Sequence, residues 1–173
     1  GETGMTFLNS SSGQATGNQC RKNGTDGIAV TGSATPILKN NICEGNARFG
    51  ISFSTQSAVN ASFNQCCQNS YSGILVTSFA APDLENNVCE GNEGSGIIYL
   101  DNAAGQATGN QCKNNKANGI EVNGSASPVL KNNICQSNLG YGIRFQRGSH
   151  PKLENNDLKD NHSGDLKKPG LFG

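Results

Sequence analysis

The chain of 173 residues contains no tryptophan and one methionine, and only 34% of its residues are hydrophobic. A conventional two-layer domain of this size would have few large side chains with which to fill a close-packed core. No stretch approaches the ~20 consecutive apolar residues of a membrane-spanning helix, so no membrane partner is predicted. Basic and acidic residues number 13 each and form no basic stripe, which argues against nucleic acid as a partner.

The chain has instead a repeat of 23 residues that runs through its whole length. One asparagine position recurs at this spacing at Asn18, Asn41, Asn64, Asn87, Asn110, Asn133 and Asn156. A second recurs at Asn23, Asn46, Asn69, Asn92, Asn115, Asn138 and Asn161. Asparagine tolerates the left-handed backbone of a sharp bend, and stacked amides can hydrogen-bond to one another. We therefore predict turns with asparagine ladders, and a glycine before one strand of each repeat is interpreted as a backbone requirement.

Apolar residues within each repeat alternate with polar ones over short segments, as in Ile51-Ser52-Phe53. This period of two indicates β-strands. A second inward position, which mostly alternates alanine and leucine, is occupied by Ala15, Leu38, Ala61, Leu84, Ala107, Leu130 and Leu153. Three short strands per 23 residues predict an all-β, single-stranded parallel β-helix with three short parallel sheets. A leucine-rich repeat is the alternative, because its repeat length includes 23 residues, but no repeat shows helical spacing.

Six of the seven cysteines share one repeat position, namely Cys20, Cys43, Cys66, Cys89, Cys112 and Cys135. Equivalent atoms in stacked parallel strands lie ~4.8 Å apart and their Cβ vectors are parallel. A disulfide needs Cβ atoms at ~3.8 Å and a specific dihedral angle. We predict a ladder of buried free thiols without a metal, with Cys67 facing outward. Free thiols favour an intracellular location.

The run Leu130-x-x-Asn133-x-Cys135-x-x-Asn138-x-x-x-Gly142-Ile143-x-Phe145 resembles the right-handed parallel β-helix repeat family, which includes pectate-lyase-like and other carbohydrate-active proteins. The resemblance covers nearly the whole chain. It implies the fold, and it allows a polysaccharide lyase, glycosidase or epimerase, a recognition domain, or a periplasmic copper-related protein. It also allows a secreted or periplasmic location. Fold alone does not select among these functions.

Seven repeats, here called rungs 1 to 7, cover residues 10–32, 33–55, 56–78, 79–101, 102–124, 125–147 and 148–170. Residues 1–9 correspond to the second half of a rung, and residues 1–4 fit either a vector-derived remnant or a repeat end. Residues 171–173 are interpreted as a tail or partial cap, and 1–173 as one domain. An open first rung exposes strand edges, which predicts a fragment of a larger protein and allows end-to-end self-association.

Catalytic residues are not predicted, and neither is a cofactor. Glu44 and Glu90 occupy one outward column two rungs apart, but Cys67 lies between them. The last rung contains a second group of carboxylates, Asp157, Asp160 and Asp165. We interpret them as residues of a solvated turn. His150 and His162 have no repeated partner and are interpreted as surface residues.

The best binding candidates are Arg48, Phe49, Tyr71 and Tyr141, which lie in the turn before a Gly-Ile strand. Exposed aromatic rings beside polar groups suit the recognition of sugars or peptides. We therefore expect a non-catalytic recognition or scaffold module that binds polysaccharide or protein through its outward turns. A lyase, glycosidase or epimerase is the alternative.

Overall fold

The computed structural model describes residues 1–170, which form 21 short strands and no helix. Sheet A contains β1 (Met5–Phe7), β4 (Ile28–Val30), β7 (Ile51–Phe53), β10 (Ile74–Val76), β13 (Ile97–Tyr99), β16 (Ile120–Val122), β19 (Tyr141–Phe145) and β21 (Gly164–Lys167). Sheet B contains β2 (Ser12–Thr16), β5 (Thr35–Lys39), β8 (Asn60–Ser62), β11 (Asp83–Glu85), β14 (Gln106–Thr108), β17 (Val129–Lys131) and β20 (Lys152–Glu154). Sheet C contains β3 (Gln19–Arg21), β6 (Ile42–Glu44), β9 (Gln65–Cys67), β12 (Val88–Glu90), β15 (Gln111–Lys113) and β18 (Ile134–Gln136).

Each rung passes from sheet B to sheet C to sheet A, and each strand pairs in parallel with the strand 23 residues away. Ile74 is in register with Ile51 on one side and Ile97 on the other. Stacking of identical positions produces a parallel β-helix of about seven turns, which confirms the predicted fold and excludes the leucine-rich repeat for residues 1–170. The described residues contain no helix that is long and apolar enough to cross a membrane. The predicted tail, 171–173, lies outside the described residues.

The core is filled by a few inward columns. Sheet A contributes pairs such as Ile51 and Phe53, sheet B the alternating alanine and leucine residues, and sheet C the cysteines. All seven cysteines are free, and the six in the repeat column are buried, as the spacing predicted. Hydrogen bonding to the neighbouring Cys43 and Cys89, followed by burial, raises the pKa of the Cys66 thiol. This thiol is therefore a neutral, small apolar group in the core.

The two asparagine positions form continuous ladders at the corners that flank sheet C. The Asn87 backbone N–H and Nδ2 both donate to Asn110 Oδ1, and Nδ2 also donates to the carbonyl oxygen of Ala61. Asn87 Oδ1 in turn accepts from the backbone N–H and Nδ2 of Asn64. Every interior side chain of the ladder can therefore make four hydrogen bonds although it is fully buried, which satisfies its donors and its acceptor.

The left-handed backbone lies one residue earlier than the sequence interpretation placed it. The ladder asparagines have ordinary φ angles, and the outward residue before each takes the positive φ, as at Asn40 and Asn86. In the corner between sheets B and C this outward column is Gly17, Asn40, Phe63, Asn86, Gly109, Asn132 and Asn155. Phe63 is the exception among glycines and asparagines, with φ 57°. A bulky residue in this region carries roughly 1–2 kcal/mol of strain.

Tyr99 places a hydroxyl in the core without a hydrogen-bond partner among the described residues. Its column also holds Phe53 and Phe145 on the same sheet. On folding, this hydroxyl loses its hydrogen bonds to water and gains none within the protein. Tyr99→Phe removes that cost and should raise the free energy of unfolding by about 1 kcal/mol. Urea denaturation followed by circular dichroism measures this. The reverse change at the matched position, Phe53→Tyr, should be destabilising, and a loss of stability in Tyr99→Phe would show that the hydroxyl is needed.

Candidate functional site

Arg48, Phe49 and Tyr71 form one cluster at the corner between sheets C and A, on rungs 2 and 3. The Phe49 and Tyr71 ring centroids are 5.6 Å apart at an interplanar angle of 50°. Arg48 Cζ lies 5.3 Å from the centroid of the Phe49 ring, a cation–π distance. Tyr71 is 56% exposed and Phe49 is half-buried. These three residues are hereafter called the platform.

The backbone holds the platform in place. Tyr71 N–H donates to the carbonyl oxygen of Arg48 at 3.0 Å, and Phe49 N–H donates to Asp26 Oδ1 at 3.2 Å. Asp26 is itself buried and accepts a hydrogen bond from Ser52 Oγ at 2.7 Å. The rings therefore project from a corner whose main chain is tied to the rungs on both sides.

Tyr141 does not join the platform. It lies in the same column as Phe49 but four rungs further along, which is ~19 Å at the usual strand spacing. Its side chain is half-buried and packs near Gly164 of the last rung. Three of the four residues predicted from the sequence are thus brought together, and the fourth is separate.

A cleft of 290 Å³ opens beside the platform on the outer side of sheet C. It is lined by Arg21, Lys22, Glu44, Gly45 and Gln68, from rungs 1 to 3. Two of these lining residues form an ion pair, with Arg21 Nε 3.0 Å from Glu44 Oε2. Both side chains remain partly exposed, so their remaining hydrogen-bonding capacity is available to a ligand.

Glu121 is the centre of a polar network on the outer face of sheet A, which the sequence interpretation did not identify. Its side chain is only 12% exposed. Oε2 accepts from Ser95 Oγ at 2.9 Å and Asn118 Nδ2 at 3.0 Å. Oε1 accepts from Asn123 Nδ2 at 3.1 Å and Arg144 Nη1 at 2.9 Å. Because both oxygens already have two donors, this carboxylate orients Arg144 and is poorly placed to act as a free base.

The opposite charges of Glu121 and Arg144 at a spacing of 23 residues were the sequence signal for this contact. The same spacing joins Arg21 to Glu44, Glu93 to Lys116 and Lys131 to Glu154. Phe63 and Phe79, 50% and 64% exposed, were also missed. Phe63 could have been found from its place in a column of glycines and asparagines.

The carboxylates considered for catalysis are dispersed or already engaged. Glu44 is paired with Arg21, and Glu90 Oε1 accepts from Asn114 Nδ2 at 2.9 Å. Cys67 lies in register between these two glutamates and is half-buried. Burial is the main cause that raises the pKa of the Cys67 thiol; a hydrogen bond with the Glu90 backbone lowers it, and the charges of Glu90 and Glu44 raise it further. A thiol in this state is a weak nucleophile at neutral pH.

The last rung likewise provides no assembled site. Asp157 Oδ2 accepts from Gln136 Nε2 at 3.1 Å, and Asp157 Oδ1 lies 3.6 Å from Lys159 Nζ. Asp160 occupies an exposed corner with φ 59°, and Asp165 is exposed. His150 and His162 are exposed as well. Within residues 1–170 there is no group of three or more His, Cys, Asp or Glu side chains that could hold a metal ion.

Solved structures similar to this chain are alginate epimerases. The periplasmic alginate epimerase AlgG matches with a TM-score of 0.74 and 21% identity, over 83% of this chain and 36% of AlgG. A double mutant of AlgG matches with a TM-score of 0.76 and 20% identity, over 84% of this chain and 35% of that one. The A-module of the Azotobacter vinelandii mannuronan C-5 epimerase AlgE4 matches with a TM-score of 0.62 and 16% identity, over 92% of this chain and 57% of the module. At these identities the likeness concerns the fold.

The chain spans about a third of the length of AlgG. No curated protein matches its sequence. The named structural neighbour AlgG is periplasmic, and these comparisons give no support to the intracellular location expected from the free thiols.

One family model, described as the periplasmic copper-binding protein NosD, matches residues 3–164. Copper in proteins is bound by sulfur and imidazole ligands. Here the six column cysteines are buried with parallel side chains, and both histidines are exposed on the last rung. The described residues therefore do not fit a copper centre. Because the family match extends over nearly the whole sequence, this chain belongs to the NosD family of parallel β-helix proteins.

Proposed function

We propose that the chain is a non-catalytic module of the periplasm that binds a polysaccharide through the platform. The observation that carries this proposal is the cluster of two adjoining aromatic rings and a guanidinium on an exposed corner. Pyranose rings present apolar C–H faces that pack on aromatic rings, while their hydroxyl and carboxylate groups accept hydrogen bonds from arginine. A rigid corner also limits the entropy lost on binding.

One further observation indicates the ligand class, and another supports binding without catalysis. The structural neighbours are named for alginate, so an acidic polysaccharide is the ligand class to be tested first. The most buried carboxylate on the outer face of sheet A, Glu121, is saturated by four donors. Free thiols are compatible with the periplasm here because stacked parallel strands hold the cysteines in a geometry that does not suit disulfides.

Simultaneous replacement of Arg48, Phe49 and Tyr71 by alanine should weaken binding to alginate at least ~50-fold. Each of these side chains is of a type that commonly contributes more than 1 kcal/mol to recognition, and tenfold in affinity corresponds to ~1.4 kcal/mol. Isothermal titration calorimetry with size-fractionated alginate measures the effect, with dextran as the neutral polysaccharide. The fold should persist, because alanine occurs at Ala117 in the Arg48 column and the relevant backbone hydrogen bonds are retained.

Phe79→Ser is the matched control, because it removes an exposed ring from the corner between sheets A and B, where Ser33 and Ser125 occupy the same column. It should leave the affinity unchanged, and so should Tyr141→Ala. Equal binding by the triple variant and the wild type would rule out the platform as the site. Formation of guluronate or of shortened chains from polymannuronate by the wild type, followed by NMR, would favour an epimerase or lyase instead.

A further inference from the structure

We propose that the binding site extends from the platform across the outer face of sheet C on rungs 1 to 3, and that Phe63 is its second aromatic subsite. The occupant is then an extended, anionic oligosaccharide that runs along rung 3 over sheet C, with one end on Phe49 and Tyr71 and the other on Phe63. This inference rests on the proposed function and specifies the place, length and charge of the ligand.

Phe63 is the residue that first indicates a second subsite. It takes the positive φ of a corner where every equivalent residue is glycine or asparagine. Its ring is 50% exposed, so burial within the chain offsets little of the strain. Lys39 Nζ lies 6.0 Å from the ring centroid, which repeats the pairing of Arg48 with Phe49 at the other corner. Backbone strain that local packing does not offset is characteristic of functional positions.

The surface between the two aromatic corners carries polar side chains. Gln65 and Gln68, both exposed, lie on rung 3 between Phe63 and Tyr71. The cleft lined by Arg21, Glu44 and Gln68 lies on the platform side of the same face. Amide, carboxylate and guanidinium groups of this kind can donate to and accept from sugar hydroxyls. The face thus has an aromatic group at each end and hydrogen-bonding groups between them.

Length and charge define the occupant. Phe63 and Tyr71 are eight residues apart along one rung, which at ~3.3 Å per residue places an upper limit of ~26 Å on their separation. A ligand that contacts both rings must cross β9 and the corner on each side of it, which favours a chain of several sugars over a disaccharide. Rungs 1 to 3 carry four basic side chains (Arg21, Lys22, Lys39 and Arg48) and two acidic ones, the buried Asp26 and Glu44, although the whole chain has no net charge. The local excess of positive charge suits an anionic polymer.

Phe63→Asn tests the inference, because asparagine fills the same position at Asn40 and Asn86 and removes the ring without disturbing the corner. Alginate disaccharide and alginate octasaccharide are titrated against both proteins by calorimetry. The wild type should bind the octasaccharide at least ~10-fold more tightly, and Phe63→Asn should lose about that factor while its affinity for the disaccharide is unchanged. The melting temperature of Phe63→Asn should rise by roughly 2–4 °C, because the strain is relieved.

The outcomes separate this inference from the proposed function. If the wild type binds neither oligosaccharide, both fail. If the platform variant loses binding but Phe63→Asn binds the octasaccharide as tightly as the wild type does, the platform stands and the extended site is wrong. A loss of disaccharide affinity in Phe63→Asn would also contradict it, because Phe63 would then act through the platform. Phe79→Ser is again the control and should keep both affinities.

Discussion

Asn87→Ala should lower the free energy of unfolding by about 4 kcal/mol, which is a large fraction of the stability of a typical domain. The substitution removes the two bonds that Asn87 Nδ2 donates and the two that its Oδ1 accepts. The Asn64 backbone N–H and the Ala61 carbonyl oxygen then lose their Asn87 partner in a site that is fully closed to water. Each buried polar group without a partner costs ~1–3 kcal/mol. Urea denaturation of the two proteins, followed by far-ultraviolet circular dichroism, gives the difference.

Asn86→Gly is the matched control for this change. Asn86 precedes Asn87, is exposed, and takes a positive φ that glycine adopts at Gly17 and Gly109 of the same column. Its replacement should alter the free energy of unfolding by less than ~0.5 kcal/mol. Equal losses at the two positions would mean that the corner backbone, and not the buried amide, provides the stability.

Asn87→Asp distinguishes hydrogen bonding from packing, since it keeps the shape of the side chain. The second carboxylate oxygen would face the Ala61 carbonyl oxygen and Asn110 Oδ1, which are both acceptors. The variant should therefore be severely destabilised at neutral pH. It should recover in part in acid, where the protonated carboxyl group can donate and the buried charge is removed.

The fold could be predicted from the sequence because one period determines both the strand pairing and the core. A repeat of 23 residues places Ile51 beside Ile74 and Cys43 beside Cys66, so the register follows from counting. The backbone conformation of individual corner residues was harder to predict. Left-handed backbone was expected at the ladder asparagines but is found one residue before them, as at Asn40. A single sequence shows which residues recur at a bend, but not which of two adjacent residues has the unusual φ.

The candidate site was predictable only in part. Arg48, Phe49 and Tyr71 are within one rung of each other and were expected at the same corner, where they do meet. Tyr141 has the right chemistry but lies four rungs away, so the shared column does not imply contact. Phe63 and the cleft were missed because outward residues follow no regular pattern, and their grouping depends on how sheet C lies between two corners.

Gly96→Ala should destabilise the protein by roughly 2–4 kcal/mol, because the added methyl group would clash with the next rung. The backbone conformation of Gly96 is not the cause. Gly96 has no positive φ, so its conformation is open to any residue. A Cβ atom there would lie 2.7 Å from Cys112 Cβ and 2.7 Å from the Gly119 carbonyl oxygen on the next rung. Neither atom can rotate away, so the rungs must separate locally, and overpacking of a close-packed core typically costs ~1–3 kcal/mol or more. Chemical denaturation measures the loss.

Gly91→Asn separates this steric argument from the general loss of a glycine. Gly91 precedes the same strand of rung 4, has φ 64°, and a Cβ there would approach only Gln68 Cγ, at 3.7 Å. Asn114 already occupies the equivalent corner on the next rung, so the change should be nearly neutral. In the Gly96→Ala background, Cys112→Ala should not restore stability, because the Cys112 Cβ position and the Gly119 carbonyl remain. Full rescue by Cys112→Ala would instead assign the clash to the sulfur, which lies 2.9 Å from the added Cβ, and would mean that the thiol ladder rather than the backbone sets the close spacing of the rungs.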